Sequence, residues 1–156
     1  MESSERTTNS LNALLRGELS AVEIYRYTYD RATHPRFRAC LDDCMQAHAR
    51  RVQLLRRRIQ ALGGIPTRRA GTWGILVKAA ALFADLFGMS AAVALLDAGE
   101  AHGEAEYARK LPKLDPQSRA FVAAELVPSQ ALTHEWIGEL KRGVRVMLPS
   151  VDSFDR

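Results

Sequence analysis

The sequence predicts an all-α protein: one domain over residues 9–146, built as a bundle of four long helices with a short apolar helix between the second and third. Three observations carry that prediction. Apolar residues recur at spacings of three and four through four long stretches, which is the period of a helix with one buried face. No stretch alternates with the two-residue period of a strand. Ala, Leu and Arg, all good helix formers, are abundant.

Each element has its own signals. The Asn9–Ser10 pair is a capping site, so the first helix is expected from there to about Ala32, with residues 1–8 a flexible terminus. "THPRF" interrupts the pattern, and Pro35 suits the first turn of a second helix running to Leu62, where "GGIP" stops it. Its seam reads Phe37, Leu41, Cys44, His48, Val52, Leu55, Ile59 and Leu62. "TWGILVKAAALFADLFG" is a short, very apolar helix interrupted by Lys78 and Asp85. The third long helix spans about Ser90 to Leu111, and "PKLDP" turns the chain. The fourth runs from Pro116 to about Val146, with a kink expected at Pro128. Residues 147–156 are expected to form the second flexible terminus.

With 156 residues, 47% apolar and 26% charged, the chain can bury one sizeable core. A net charge of +4 permits an anionic partner without demanding one. The opening "MESSERTTNS" lacks the apolar region of a secretory signal, and no run of 18 apolar residues occurs. The expected compartment is the cytoplasm. Cys40 and Cys44, one turn apart, read as small core hydrophobes. There is no Gly-rich phosphate loop, no Ser/His/Asp arrangement and no CxxC.

Polar residues on the apolar seams carry the functional signal. Glu18 shares its face with Leu11, Leu14, Leu15, Val22, Tyr25 and Tyr29. Glu100 shares its face with Met89, Val93, Leu96, Glu104, Tyr107 and Leu111. His48 lies on the second seam, and His134 on a face with Val127, Ala131, Ile137 and Gly138. A buried carboxylate needs a partner. Glutamates on two helices and histidines on the other two suit a transition metal held at the centre of a bundle. A metal-free account stands beside it: Arg51, one turn after His48, can satisfy a seam glutamate, and Tyr25 and Tyr107 can donate to carboxylates.

"LNALLRGELSAVEIY", "HARRVQLLRRRIQALGGIP" and "LLDAGEAHGEAEYARKL" resemble, in that order, the first three helices of the bacterioferritin and rubrerythrin branch of the ferritin-like superfamily. The resemblance covers about Leu11 to Gly143. It is closest to bacterial ferritin-like domains of unknown function, and a more distant likeness is to demethoxyubiquinone hydroxylase. It implies a ferritin-like four-helix bundle. In that superfamily a di-iron site takes one glutamate from the first and third helices and a Glu-x-x-His motif from the second and fourth. Glu18 and Glu100 match the single glutamates. The other motifs read "MQAH" and "ALTH", with Met45 and Ala131 in the glutamate places. Counting back from "GGIP" instead puts His48 in the glutamate place and Arg51 in the histidine place. Both alignments leave a di-iron site short of ligands.

The expected function is therefore a ferritin-like bundle with a reduced site for one transition metal, iron, zinc or manganese. The ligands would be Glu18, His48, Glu100 and His134, with Glu104 as a fifth, and efficient di-iron ferroxidase activity is not expected. One alternative is a metal-free bundle acting as an interaction or stress-related protein. Another is Dps-like association with DNA through the arginines of "ARRVQLLRRR", although a solvated helix face is the simpler reading of that run. No specific nucleic-acid binding is expected. The apolar 73–87 segment is expected to form a homodimer interface in preference to a membrane contact, because it lacks a basic polar face.

Overall fold

The computed structural model describes residues 2–71 and 87–147. Among them the regular structure is entirely helical: α1 (Glu2–Arg31), α2 (Pro35–Ala61), α3 (Met89–Lys110), α4 (Pro116–Phe121) and α5 (Val127–Met147). The short apolar helix expected between the second and third long helices, and residues 148–156, lie outside the described residues.

The breaks follow local chemistry. His34 caps α2 with its own ring, Nδ1 accepting from the Arg36 amide at 3.3 Å, and Pro35 occupies the first turn. The Arg38 guanidinium donates to the carbonyls of Tyr29 and Ala32, both at 3.1 Å, which satisfies acceptors left open where α1 ends. At the other end of α2 the Gly63 amide donates to Gln60 O and the Gly64 amide to Ile59 O, each at 2.9 Å. That pair of bonds needs Gly63 at φ +74°, the left-handed conformation glycine adopts without penalty. A Cβ on Gly64 would lie 2.7 Å from Thr8, so α1 packs directly on this turn.

Helix α1 begins at Glu2, not at the Asn9–Ser10 pair. Ser10 is buried, and Thr7 is fully buried with its hydroxyl accepting from the Asp115 amide at 2.9 Å. Two extra turns form because they pack against the start of the fourth long helix, a tertiary contact that outweighs a local capping preference. That fourth helix is continuous through α4, a π-helical turn over Val122–Leu126, and α5. Pro128, which has no amide hydrogen and crowds the carbonyl four residues back, explains the wide turn before it. The disturbance expected at Pro128 is thus a π turn.

Contacts between helices fix their directions. Glu18 meets Tyr107 while Tyr25 meets Glu100, so α1 and α3 are antiparallel. Cys40 meets Trp136, Arg51 meets Ser129 and Arg58 meets Ser118, so α2 runs against α4 and α5. With α1 and α2 joined by a short turn, α2 and α3 run the same way. The apolar core falls into two parts. One is built on Leu11, Leu15, Leu55, Ile59 and Leu126, the other on Ile24, Leu41, Cys44, Leu96 and Ile137. Between them lies a polar layer.

Candidate functional site

Every long helix contributes to that layer. It holds Glu18 from α1, His48 and Arg51 from α2, Glu100 from α3, and Gln130 and Thr133 from α5, all buried. Each interrupts a helix between two apolar stretches: Leu15 and Ile24 flank Glu18, and Leu96 and Tyr107 flank Glu100. Helical spacing alone therefore forces them inward.

The bonding is dense. His48 sits between the two carboxylates, Nδ1 at 2.7 Å from Glu18 Oε2 and Nε2 at 2.9 Å from Glu100 Oε1. Arg51 Nε donates to Glu18 Oε1 at 3.0 Å, and its Nη1 donates to Ser129 Oγ at 2.9 Å. Tyr107 donates to Glu18 Oε1 at 2.7 Å and Tyr25 to Glu100 Oε1 at 2.5 Å. Thr133 Oγ1 and Gln130 Nε2 complete Glu100 at Oε2, at 2.8 and 3.2 Å. All four carboxylate oxygens are thereby satisfied.

The charges balance. Burial pushes the Glu18 carboxyl up, but the Arg51 and His48 charges and hydrogen bonds from His48 and Tyr107 prevail and hold it at about 2. Burial also pushes Glu100 up, and the bonds and charge of His48 with donors Tyr25 and Thr133 bring it below the ordinary carboxylate range. For His48, burial disfavours the cation, yet Glu18 and the bonds to both carboxylates raise its pKa. Arg51 Nη2 also lies 2.7 Å from His48 Nδ1, which cannot accept from arginine and donate to Glu18 together. A carboxylate on each ring nitrogen selects the doubly protonated ring. Two carboxylates then face one imidazolium and one guanidinium, and the layer is neutral.

The five residues expected to converge on a metal do not all meet. Glu18, His48 and Glu100 are together. His134 and Glu104 are elsewhere: Glu104 is exposed, and His134 Nδ1 pairs with it at 2.8 Å while Nε2 lies 3.9 Å from Asp97. The inward face of α5 is Gln130, Thr133 and Ile137, in line with Leu126 of the π turn and one position earlier than the face through Ala131 and His134, and Ala131 is exposed. The π turn adds a residue to the helix just before this stretch and so rotates everything after it.

The inner donor set does not suit a metal ion. A guanidinium has no lone pair to offer, and Arg51 is 0% exposed beside the carboxylate a metal would need. His48 spends both nitrogens on carboxylates to opposite sides. Among the described residues, no group of three or more His, Cys, Asp or Glu side chains is placed to hold a metal. The arginine run divides as well: Arg50 and Arg57 are exposed, Arg51 is interior, and Arg58 is bonded to Ser118 and Gln117.

Residues 6–111, about two thirds of the chain, match the family described as Domain of unknown function (DUF2383). The chain belongs to that family. No curated protein and no solved structure matches it. The DUF2383 match contains α1 from Arg6, α2 and α3, and therefore both carboxylates, His48, Arg51 and both tyrosines. Ser129, Gln130 and Thr133 come from outside it. Among the described residues of this DUF2383 chain, no helix is long and apolar enough to cross a membrane.

Proposed function

We propose that this DUF2383 chain is a ferritin-like bundle whose centre is closed by its own cations in place of a metal, and that it acts as an interaction protein rather than an oxygen-activating enzyme. The observation that carries the reading is Arg51, wholly interior and bonded to Glu18. Two features support the ferritin-like part. The second and third long helices, α2 and α3, run parallel, as in ferritin-like bundles. The layer also has that superfamily's layout: Glu18 and Glu100 stand as the single glutamates, while His48-x-x-Arg51 and Gln130-x-x-Thr133 stand where Glu-x-x-His pairs would be. The alignment counted back from "GGIP" is the one that fits this layout.

The deciding experiment measures metal content and melting temperature of the purified protein with Fe²⁺, Mn²⁺ and Zn²⁺. We expect less than a tenth of an equivalent retained and no change in melting, since a ligand of the native state must raise it. About one equivalent of metal, with a raised melting temperature, would overturn the proposal in favour of a one-metal site. The interaction surface we assign is a homodimer through residues 73–87, where Phe87 is 60% exposed. Light scattering should give a dimer, and Phe87→Asp should weaken it. A monomer that pellets with liposomes would move the assignment to a membrane surface.

A further inference from the structure

The α1/α3 seam is loosely filled. A cavity of about 290 Å³ lies there, with Ala13, Gly17 and Ala21 on one side and Leu95, Gly99 and Gly103 on the other. Its size approaches that of small-ligand pockets, roughly 300 Å³ and above. Among the described residues, a Cβ built on Gly17 or Gly99 would meet nothing within 4 Å. The cavity's inner surface includes Glu18, Tyr25, His48, Glu100 and Tyr107 of the charged layer.

A second groove continues along the same two helices toward the start of α1 and the end of α3. It shares Ala13 and Arg16 with the cavity and adds Arg6, Lys110 and Lys113, with Glu5 the single acidic residue among its walls. Among the described residues, none of these four cationic side chains has a hydrogen bond or ion pair. Lys110 is held below the ordinary lysine range, by partial burial first and then by Arg109, Lys113 and Arg16 against the pull of Glu106. Crowded, unpaired cations at the end of an apolar cavity concentrate an anion there.

We propose that this seam binds a single-chain amphiphilic anion, a medium-chain fatty carboxylate, with its head among Arg6, Arg16, Lys110 and Lys113 and its chain in the cavity. The orientation is fixed by the two ends. At the inner end every carboxylate oxygen is already bonded and the charges are balanced, so a second carboxylate has no donor to meet. At the outer end four cations have no partner. The stretch of α1 from Arg16 to Tyr25 is about 13 Å long at the helical rise, room for an extended chain rather than a compact ring system. The orientation rests on the metal-free reading of the centre, whose side chains line the inner end of the cavity; metal content measured on the same sample keeps a failure of that reading distinct from a failure to bind decanoate.

The test is calorimetric titration of the full chain at low salt with decanoate below its micelle concentration, and with decyltrimethylammonium as the cationic counterpart. We expect one decanoate per chain and no heat from the ammonium. Gly99→Leu, which fills the cavity, and Lys110→Glu, which reverses one head contact at the surface, should each weaken decanoate at least tenfold, with folding checked by circular dichroism. Equal binding of the two amphiphiles would overturn the proposal. So would unchanged affinity in Lys110→Glu, or binding only to vesicles of anionic phospholipid.

Discussion

Replacing Arg51 with methionine keeps an unbranched stem, shorter by two atoms, and removes the charge. Glu18 would then keep Tyr107 and His48, while two carboxylates faced a single cation and the layer carried a net negative charge. Removing one partner of a buried pair costs about 3–5 kcal/mol, because the charge left behind is not compensated. An independent route gives a similar size. Holding Glu18 at about 2 instead of 4.5 corresponds to about 3 kcal/mol of preference for the charged form, and Arg51 is the largest favourable influence on it. Since domains of this kind are stable by about 5–15 kcal/mol, the variant should be clearly weakened. Urea unfolding followed by circular dichroism at pH 6 should show a lower midpoint with an unchanged slope. Adding Glu18→Gln to Arg51→Met restores neutrality and should recover much of the loss, a coupling of about 2 kcal/mol in a double-mutant cycle. A loss below about 1 kcal/mol, or additive single effects, would refute the view that Arg51 compensates Glu18.

The same layer sets a pH response. Glu18 is depressed to about 2, so its contribution is complete above about 4.5 and is lost as pH falls toward 2. His48 is raised, so its contribution is complete below about 6.5 and is lost as pH climbs through its folded value. Urea midpoints should therefore peak between about pH 4.5 and 6.5, and a midpoint that climbs steadily from pH 5.5 to 8 would contradict a charged His48. The double variant His48→Glu, Arg51→His writes a Glu-x-x-His pair into α2 and should gain metal affinity; at a hundredfold excess over Kd, Zn²⁺ should stabilise it by about 3 kcal/mol, and no metal-induced rise in melting temperature would count against the ferritin-like reading. Duplex DNA should show no gel shift at physiological salt, because Arg51 is interior and Arg58 is bonded to α4; a tight shift that weakens steeply between 50 and 200 mM salt would restore the nucleic-acid alternative.

The sequence made some of this plain and hid the rest for definable reasons. Helix periodicity located α2 and α3 to within a residue or so, because their ends carry strong local signals: Pro35 and Gly63 for α2, Gly88 and Pro112 for α3. It also put Glu18, His48 and Glu100 inside, since each stands in an otherwise apolar row. Arg51 and the two tyrosines were visible as partners that could do without a metal, but periodicity cannot choose between a guanidinium and an ion. The choice depends on which side chains reach one another across helices. Gln130 and Thr133 were missed because His134 was placed on a face with Val127 and Ala131, one position away from the face the helix buries. A glutamine and a threonine in phase with Leu126 and Ile137 were the available signal. The early start of α1 was hidden because Thr7 is held by Asp115, more than a hundred residues away.

The division of the core by one neutral layer also decides how the helices can be aligned. Sliding α1 by a single turn, about 5.4 Å, would carry Glu18 out of the layer and into one of the two apolar slabs, while Arg51 and His48 stayed behind with an excess of positive charge. The same slip in α3 would strand Glu100 and leave the same excess, whereas a slip in α2 would remove both cations and leave two carboxylates unopposed. Two purely apolar slabs would tolerate such slips, since leucine packs on leucine at many offsets. Here each offset but one separates opposite charges in a medium that cannot screen them, so the layer acts as a key that admits a single alignment of the bundle. The last tooth of that key, Gln130 with Thr133, is on α5, the helix that the family match does not reach.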